Sequence, residues 1–190
     1  MKIAVLAIQG AFIEHEKCLV ELGAECIELR KKEDLEQDFD ALVLPGGEST
    51  VQGKLLRELG MFDTLKQKIQ SGIPVLATCA GLILLAENLD NDPAKHFATL
   101  PVTVVRNAYG RQLGSFFTES DFKGLGKIPM TFIRAPYIKE TGKDVEVLSA
   151  VNEKIVAVKY GNQIAMSFHP ELNSDRRIHS MFLEMAASQE

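Results

Sequence analysis

The chain has 190 residues, 46% hydrophobic and 25% charged, an ordinary mix for a globular protein that excludes a disordered or collagen-like chain. Its formal net charge is −5, from 21 Lys+Arg against 26 Asp+Glu, and with no basic cluster it is a poor candidate for gripping nucleic acid. The length suits one domain, residues 1–190, with room for a sizeable core.

No stretch reads as a membrane span. The longest nearly apolar run, Ile73 to Ala86, is interrupted by Pro74, Thr78, Cys79 and Gly81 and falls short of the ~20 residues a bilayer requires. The run Ile3–Ile8 is too short for a signal peptide. The spacing of Cys18, Cys26 and Cys79 matches no zinc pattern, so the expectation is a reduced, cytoplasmic chain without disulfides or metal.

In chain order, strand and helix patterns alternate through the first half. Lys2–Ile8 is a short β-branched and aliphatic run. Phe12–Leu22 has helical spacing with Gly23 as a stop. Glu25–Leu29 and Asp40–Leu44 read as strands, the latter cut off by Pro45-Gly-Gly. Thr50–Leu59 and Phe62–Gln70 read as helices parted by Gly60. Ile73–Ala77 is a fourth strand, followed by an apolar helix from Ala80 to Leu89. Apolar strands separated by helices indicate a parallel sheet covered on both faces. The second half is richer in strands: Val102–Val105, Leu113–Thr118, Met130–Ile133, Val145–Ala150, Ile155–Tyr160 and Ile164–Phe168, with turn residues between several of them. These read as antiparallel hairpins appended to the sheet, and a helix over Arg176–Ala187 follows. The expected architecture is α/β and three-layered.

Three segments carry chemistry. In Ile73-Pro-Val-Leu-Ala-Thr-Cys-Ala-Gly-Leu, a cysteine sits between a buried strand and a helix. That resembles a nucleophile elbow, in which small neighbours (Ala77, Ala80, Gly81) let a strained turn close. The helix N-terminus offers N–H groups and partial positive charge, which favour the attacking thiolate. The competing reading is a buried cysteine acting as a small hydrophobe, which is preferred for Cys18 and Cys26. In Ser167-Phe-His-Pro-Glu-Leu, Pro170 biases His169 to extended backbone. Residues two apart then face one side, so His169 and Glu171 can act as base and orienter for Cys79. His15, between Glu14 and Glu16, suits a solvated face or contact surface. His96 and His179 are likewise weak catalytic candidates. In Leu44-Pro-Gly-Gly-Glu-Ser-Thr, Gly46 and Gly47 allow backbone N–H groups close to a ligand. With the N–H of Ala80 they can stabilise an oxyanion. Ser49 or Thr50 can cap the next helix. The Gly-Lys-Ser/Thr ending of a phosphate loop is absent.

These pieces, in this order, resemble the class I triad glutamine amidotransferases, which carry a Pro-Gly-Gly loop, a Gly-x-Cys-x-Gly elbow and a late His-Pro-Glu. Ala77 replaces the first elbow glycine and is small enough to keep the turn. The segments Ala7-Ile-Gln-Gly-Ala, Gly46-Gly-Glu-Ser-Thr, Thr78-Cys-Ala-Gly-Leu, Arg106-Asn-Ala-Tyr-Gly-Arg-Gln and Phe132-Ile-Arg-Ala-Pro are similar to the family of glutaminase subunits of pyridoxal 5′-phosphate synthases, across essentially the whole chain.

The resemblance implies a flavodoxin-like glutaminase domain that hydrolyses L-glutamine to glutamate and ammonia through a Cys79–His169–Glu171 triad and a γ-glutamyl thioester. It implies no cofactor, and a (β/α)8 synthase partner that receives the ammonia. It places Glu48, Ser49, Arg106, Ile133 and Arg134 near the substrate, the arginines being candidates for its α-carboxylate. Gln9 and Gly10, at the same sheet edge, are expected to read the partner and tighten the oxyanion hole. The rivals are a glutaminase serving another synthase, a γ-glutamyl peptidase on a related fold, and a non-catalytic binding subunit.

Overall fold

The computed structural model describes residues 1–106 and 114–189. Much of the Arg106–Gln112 segment and the expected strand start at Leu113 lie outside the described residues.

The elements in chain order are β1 (Lys2–Leu6), α1 (Phe12–Glu21), β2 (Glu25–Leu29), a 3-10 turn (Lys32–Glu36), β3 (Ala41–Leu44), α2 (Ser49–Glu58), α3 (Phe62–Gln70), β4 (Val75–Thr78), α4 (Ala80–Leu85), β5 (Ala86–Leu89) and β6 (Leu100–Val105). Then come β7 (Ser115–Phe122), β8 (Gly126–Ile133), β9 (Tyr137–Thr141), β10 (Glu146–Val151), β11 (Lys154–Tyr160), β12 (Gln163–Met166), a 3-10 turn (Pro170–Leu172) and α5 (Arg177–Ala187).

The main sheet runs β2-β1-β3-β4-β12-β11-β9-β6-β5, with β10 paired to β11. Its first half is parallel: β1 pairs with β2 and β3, β3 with β4, and β4 with β12. The antiparallel pairs are β11 with β12, β9 and β10, and β6 with β9. A separate hairpin joins β7 and β8. The α/β class and the mostly parallel sheet with appended antiparallel strands are as the sequence indicates.

Alternation of side chains across the strands divides the core into two. Ala4, Leu6, Leu42, Leu44, Val75 and Ala77 pack with Leu56 of α2, Leu65 of α3 and Leu82 of α4. Ile3, Val5, Val43 and Leu76 pack on the opposite side with Leu19 of α1, Phe182 of α5 and Phe132 of β8. The three layers follow from strands that are apolar on both faces. The buried stripe of α1 is His15, Cys18 and Leu19, spaced i, i+3, i+4.

Three local expectations differ. The helix after Cys79 ends at Leu85, and Ala86–Leu89 form a strand beside β6. The apolar run Ala80–Ala86 has no polar face to distinguish the two periods, and Glu87 and Asn88 are too few to set one. Strand β9 went unread because only Ile138 of its five residues is buried. His15 is fully buried, not on a solvated face.

Candidate active site

The parallel strands β3 and β4 end side by side, their register pairing Leu44 with Ala77. Functional residues leave both at the carboxyl edge, where open parallel sheets bind ligands. Cys79 follows β4 directly, with φ 49° and ψ −98°. A non-glycine residue at positive φ is strained, and two contacts hold it there. Its N–H donates to the Met166 carbonyl at 2.8 Å, and Gly81 lies so close to the Leu44 carbonyl that no Cβ fits between them. The elbow thus aims the sulfur off the end of the sheet, 3.9 Å from the Ile133 carbonyl oxygen.

His169 follows β12, and its N–H donates to Thr131 on β8 at 2.8 Å. Glu171 lies in the Pro170–Leu172 3-10 turn, not in extended backbone. The turn brings its carboxylate back to the imidazole, with His169 Nδ1 donating to Oε1 at 2.7 Å. The Cys79 thiol also acts on the His169 ring electrostatically. Burial opposes charge on His169, yet its interactions with Cys79 and with the hydrogen-bonded Glu171 push its pKa up to about 10. Burial likewise opposes charge on Glu171, but interactions with His15 and His169 hold its pKa below the ordinary value. These signs describe an imidazole poised to hold a proton beside a buried carboxylate that stays ionised.

A cavity of about 530 Å³ opens onto this constellation, within the ~300–1,000 Å³ usual for small-molecule sites. Cys79 and His169 line it with Gly47, Glu48, Ser49, Arg106, Ile133 and Arg134. Gln9 lines it too, as do Ile83 and Ser115, which sequence reasoning missed. Arg106 donates to Asp92 at 3.1 Å and to Thr50 at 3.2 Å. Arg134 has φ 44° and is exposed.

The glycine loop is gripped by the segment after β1. The Gly46 carbonyl accepts from Ala11 N–H at 3.0 Å. The Glu48 N–H donates to Gln9 Oε1 at 2.8 Å. Gln52 Nε2 donates to the carbonyls of Gln9, at 3.0 Å, and Pro45, at 3.2 Å. Gly10, at φ 103°, abuts the Gly46 carbonyl with no space for a Cβ. Gln52, on the inner face of α2, also escaped the sequence reading. It carried no local signal, because its complete burial arises only in the folded chain. Gly46 and Ala80 do not line the cavity wall; Gly46 instead packs under the His169 ring. Among the described residues, no group of three or more His, Cys, Asp or Glu is placed to hold a metal ion. No helix among them is long and apolar enough to cross a membrane.

A cysteine elbow, a histidine–carboxylate pair and a glycine loop at one sheet edge are the parts of a triad amidohydrolase. Residues 5–188 match the SNO glutamine amidotransferase family, and the chain belongs to that family. It is 69% identical over 184 residues to pyridoxal 5′-phosphate synthase subunit PdxT of Desulfitobacterium hafniense (strain DSM 10664 / DCB-2), covering 97% of this chain and 92% of that one. It is 54% identical over 188 residues to the protein of the same name from Haemophilus influenzae (strain PittEE), covering 97% and 98%. A solved structure described as a glutamine amidotransferase superposes with a TM-score of 0.92 at 44% identity, covering 97% of this chain and 98% of that one. A glutamine amidotransferase from Thermotoga maritima shares the fold, with a TM-score of 0.65 at 17% identity, covering 100% of this chain and 85% of that one.

Proposed function

We propose that residues 1–190 act as a single glutaminase domain that hydrolyses L-glutamine and supplies ammonia to a pyridoxal 5′-phosphate synthase subunit. The observation that carries this reading is the Cys79–His169–Glu171 constellation, of which Cys79 and His169 line the cavity and Glu171 backs the imidazole. The names of the relatives support the choice of synthase.

In the mechanism, the Cys79 sulfur attacks the side-chain amide carbon of glutamine, and the thiol proton resides on His169. The carbonyl electron pair moves onto oxygen. The donors are the N–H groups at Gly46–Gly47 and at Ala80, the first helical residue of α4, whose N–H has no intrahelical partner. His169 then passes its proton to the amide nitrogen, the C–N bond breaks, and ammonia leaves behind a γ-glutamyl thioester. Water adds to the thioester while His169 takes its proton. The C–S bond breaks, glutamate departs, and the proton returns to sulfur. Glu171 holds the Nδ1–H of His169 throughout, which leaves Nε2 for proton transfer.

The cavity chemistry suits an amino acid. Arg106 and Arg134 provide cationic forks for an α-carboxylate, and Glu48 provides a carboxylate for an α-ammonium. Ser49 and Ile133 complete the walls around the chain. Gln9 and Gly10 serve as the partner-sensing segment, since the bonds of Gln9 with Glu48 and Gln52 and the close approach of Gly10 to the Gly46 carbonyl tie their position to the glycine loop. The free thiols of Cys18, Cys26 and Cys79 support a reducing, cytoplasmic location. The partner is read as a (β/α)8 synthase subunit, by resemblance.

The test is ammonia release from L-glutamine, with the synthase subunit present and omitted. Turnover should rise when the synthase is present. Equal rates would defeat the coupling role of Gln9 and Gly10, and no ammonia under either condition would defeat the glutaminase reading.

A further inference from the structure

The triad carboxylate has a second side. Glu171 Oε1 accepts the hydrogen bond from His169 Nδ1–H, while Oε2 is buried with no hydrogen-bond partner among the described residues. His15 Nε2 lies 3.4 Å from Oε2 and 3.1 Å from Thr78 Oγ1. His15 Nδ1 lies 3.0 Å from His179 Nε2. Three residues along α1, the Cys18 sulfur contacts the backbone carbonyl of Glu171 at 3.8 Å. The inner face of α1 therefore holds Glu171 by both its side chain and its backbone.

The hydrogen-bond pattern fixes the tautomers. Burial, the leading cause for each, lowers the pKa of both His15 and His179, the latter to about 3, so both rings are neutral. In an N···N contact between neutral imidazoles, one nitrogen donates and the other accepts. If His15 donated from Nδ1, its bare Nε2 lone pair would face the carboxylate. His179 would also keep a buried Nδ1–H without an acceptor, since that atom has no partner among the described residues, and an unpaired buried donor is expensive. The opposite arrangement avoids both penalties. His179 Nε2–H donates to His15 Nδ1, and His15 Nε2–H points between Thr78 Oγ1 and Glu171 Oε2. At 3.4 Å the contact with Oε2 is longer than an ordinary hydrogen bond. It acts as an oriented dipole on a buried anion, where low polarity makes such fields strong.

We propose that His15 is a positioning residue of the glutaminase reaction: its Nε2–H, set in that tautomer by His179, anchors the outer oxygen of Glu171 and keeps the inner one aimed at His169. The proposal rests on the glutaminase reading and extends the triad inward by two residues, Cys79–His169–Glu171–His15–His179. The His169 hydrogen bond on one oxygen and the His15 N–H dipole facing the other keep the carboxylate ionised, so it orients His169 without taking its proton. Loss of the His15 donor destabilises the ionised form, and Glu171 becomes protonated at a higher pH. The other titratable groups acting on these residues are Cys18 and Glu14 on α1, Cys79 beyond β4, and Arg176 just before α5, itself paired with Glu21. None of them changes in the variants below.

The test is the pH profile of L-glutamine hydrolysis by the complex with the synthase subunit, for wild type, His15→Leu and His15→Gln. His15→Leu should lower kcat severalfold and at most about tenfold, the upper end being the size of one full buried hydrogen bond to a charge. KM for glutamine should stay within about twofold, and the acid limb of the kcat profile should move to higher pH. His15→Gln, whose side-chain N–H can reach the place of Nε2–H, should restore most of kcat and return the limb. Should His15→Leu fail to fold, His179→Phe carries the test, because it removes the donor that fixes the His15 tautomer; it should give a smaller loss with the same direction of shift. A wild-type profile in the folded variant, or an equal loss in Leu and Gln with the acid limb unmoved, would overturn the proposal. Absent turnover in the wild type would instead overturn the glutaminase reading.

Discussion

The imidazole of His169 occupies the place where a side chain at position 46 would begin: a Cβ built on Gly46 meets Cε1, Nδ1 and Nε2 of that ring. The glycine therefore does more than free the loop backbone. It clears the seat of the His169 ring, so two segments 123 residues apart in sequence (46 and 169) are matched to one geometry.

Gly46→Ala should consequently act on catalysis through His169. Displacing the ring by a fraction of an ångström to one ångström is expected to lower kcat/KM by about 10²-fold. Steady-state hydrolysis gives the loss. A thermal melt shows whether the protein remains folded while activity falls.

Gln9→Ala removes the acceptor of the Glu48 N–H, which otherwise bonds Gln9 Oε1 at 2.8 Å. A lost bond of this kind is worth ~1 kcal/mol. The expected result is about fivefold slower hydrolysis in the presence of the synthase, with little change in its absence. Comparing the two conditions checks it; an equal proportional loss in both would assign Gln9 to packing alone.

Arg106 is about one-third exposed at the cavity, and Asp92 and Thr50 hold its guanidinium. If it receives the α-carboxylate of glutamine, Arg106→Ala should raise KM about tenfold or more with kcat nearly unchanged, the signature of lost uniform binding. Asp92→Asn should raise KM less, because the charge remains and only its anchor is weakened. Substrate titration of both variants separates these effects.

Much of this was legible in the sequence. The strands β1 to β4 are apolar on both faces, which marks a doubly covered parallel sheet, and Cys79, His169 and Glu171 each carry a local signal of turn or proline. His15 was not legible in the same way. Glu14 and Glu16 on either side make it read as polar surface, although Cys18 and Leu19 complete a stripe at i, i+3, i+4 that the fold buries. Gln52 was hidden because its partners, the carbonyls of Gln9 and Pro45, become neighbours only when β1 and β3 pair. The apolar run Ala80–Ala86 gave no hint that the chain leaves the helix at Leu85 for β5.

The buried histidines also set a pH dependence of stability. Burial, the first cause, lowers the His179 pKa from 6.5 to about 3, so between those values the unfolded chain binds a proton that the folded chain does not. Its contribution is complete above about pH 6.5 and declines as pH falls toward about 3, with a slope of roughly 1.4 kcal/mol per pH unit. His15 acts with the same sign. His169, raised to about 10, acts oppositely: its contribution is full below about 6.5 and declines as pH rises toward 10. Denaturant unfolding across the acid window should show stability falling in the wild type and a flatter curve in His179→Gln; parallel curves would contradict a neutral, buried His179.

The most direct test is to acid-quench the complex during turnover of L-glutamine and map the modified peptide by mass spectrometry. A γ-glutamyl group should sit on the peptide containing Cys79, and be absent with ammonia release abolished in Cys79→Ala. Continued ammonia release by that variant would remove Cys79 as the nucleophile.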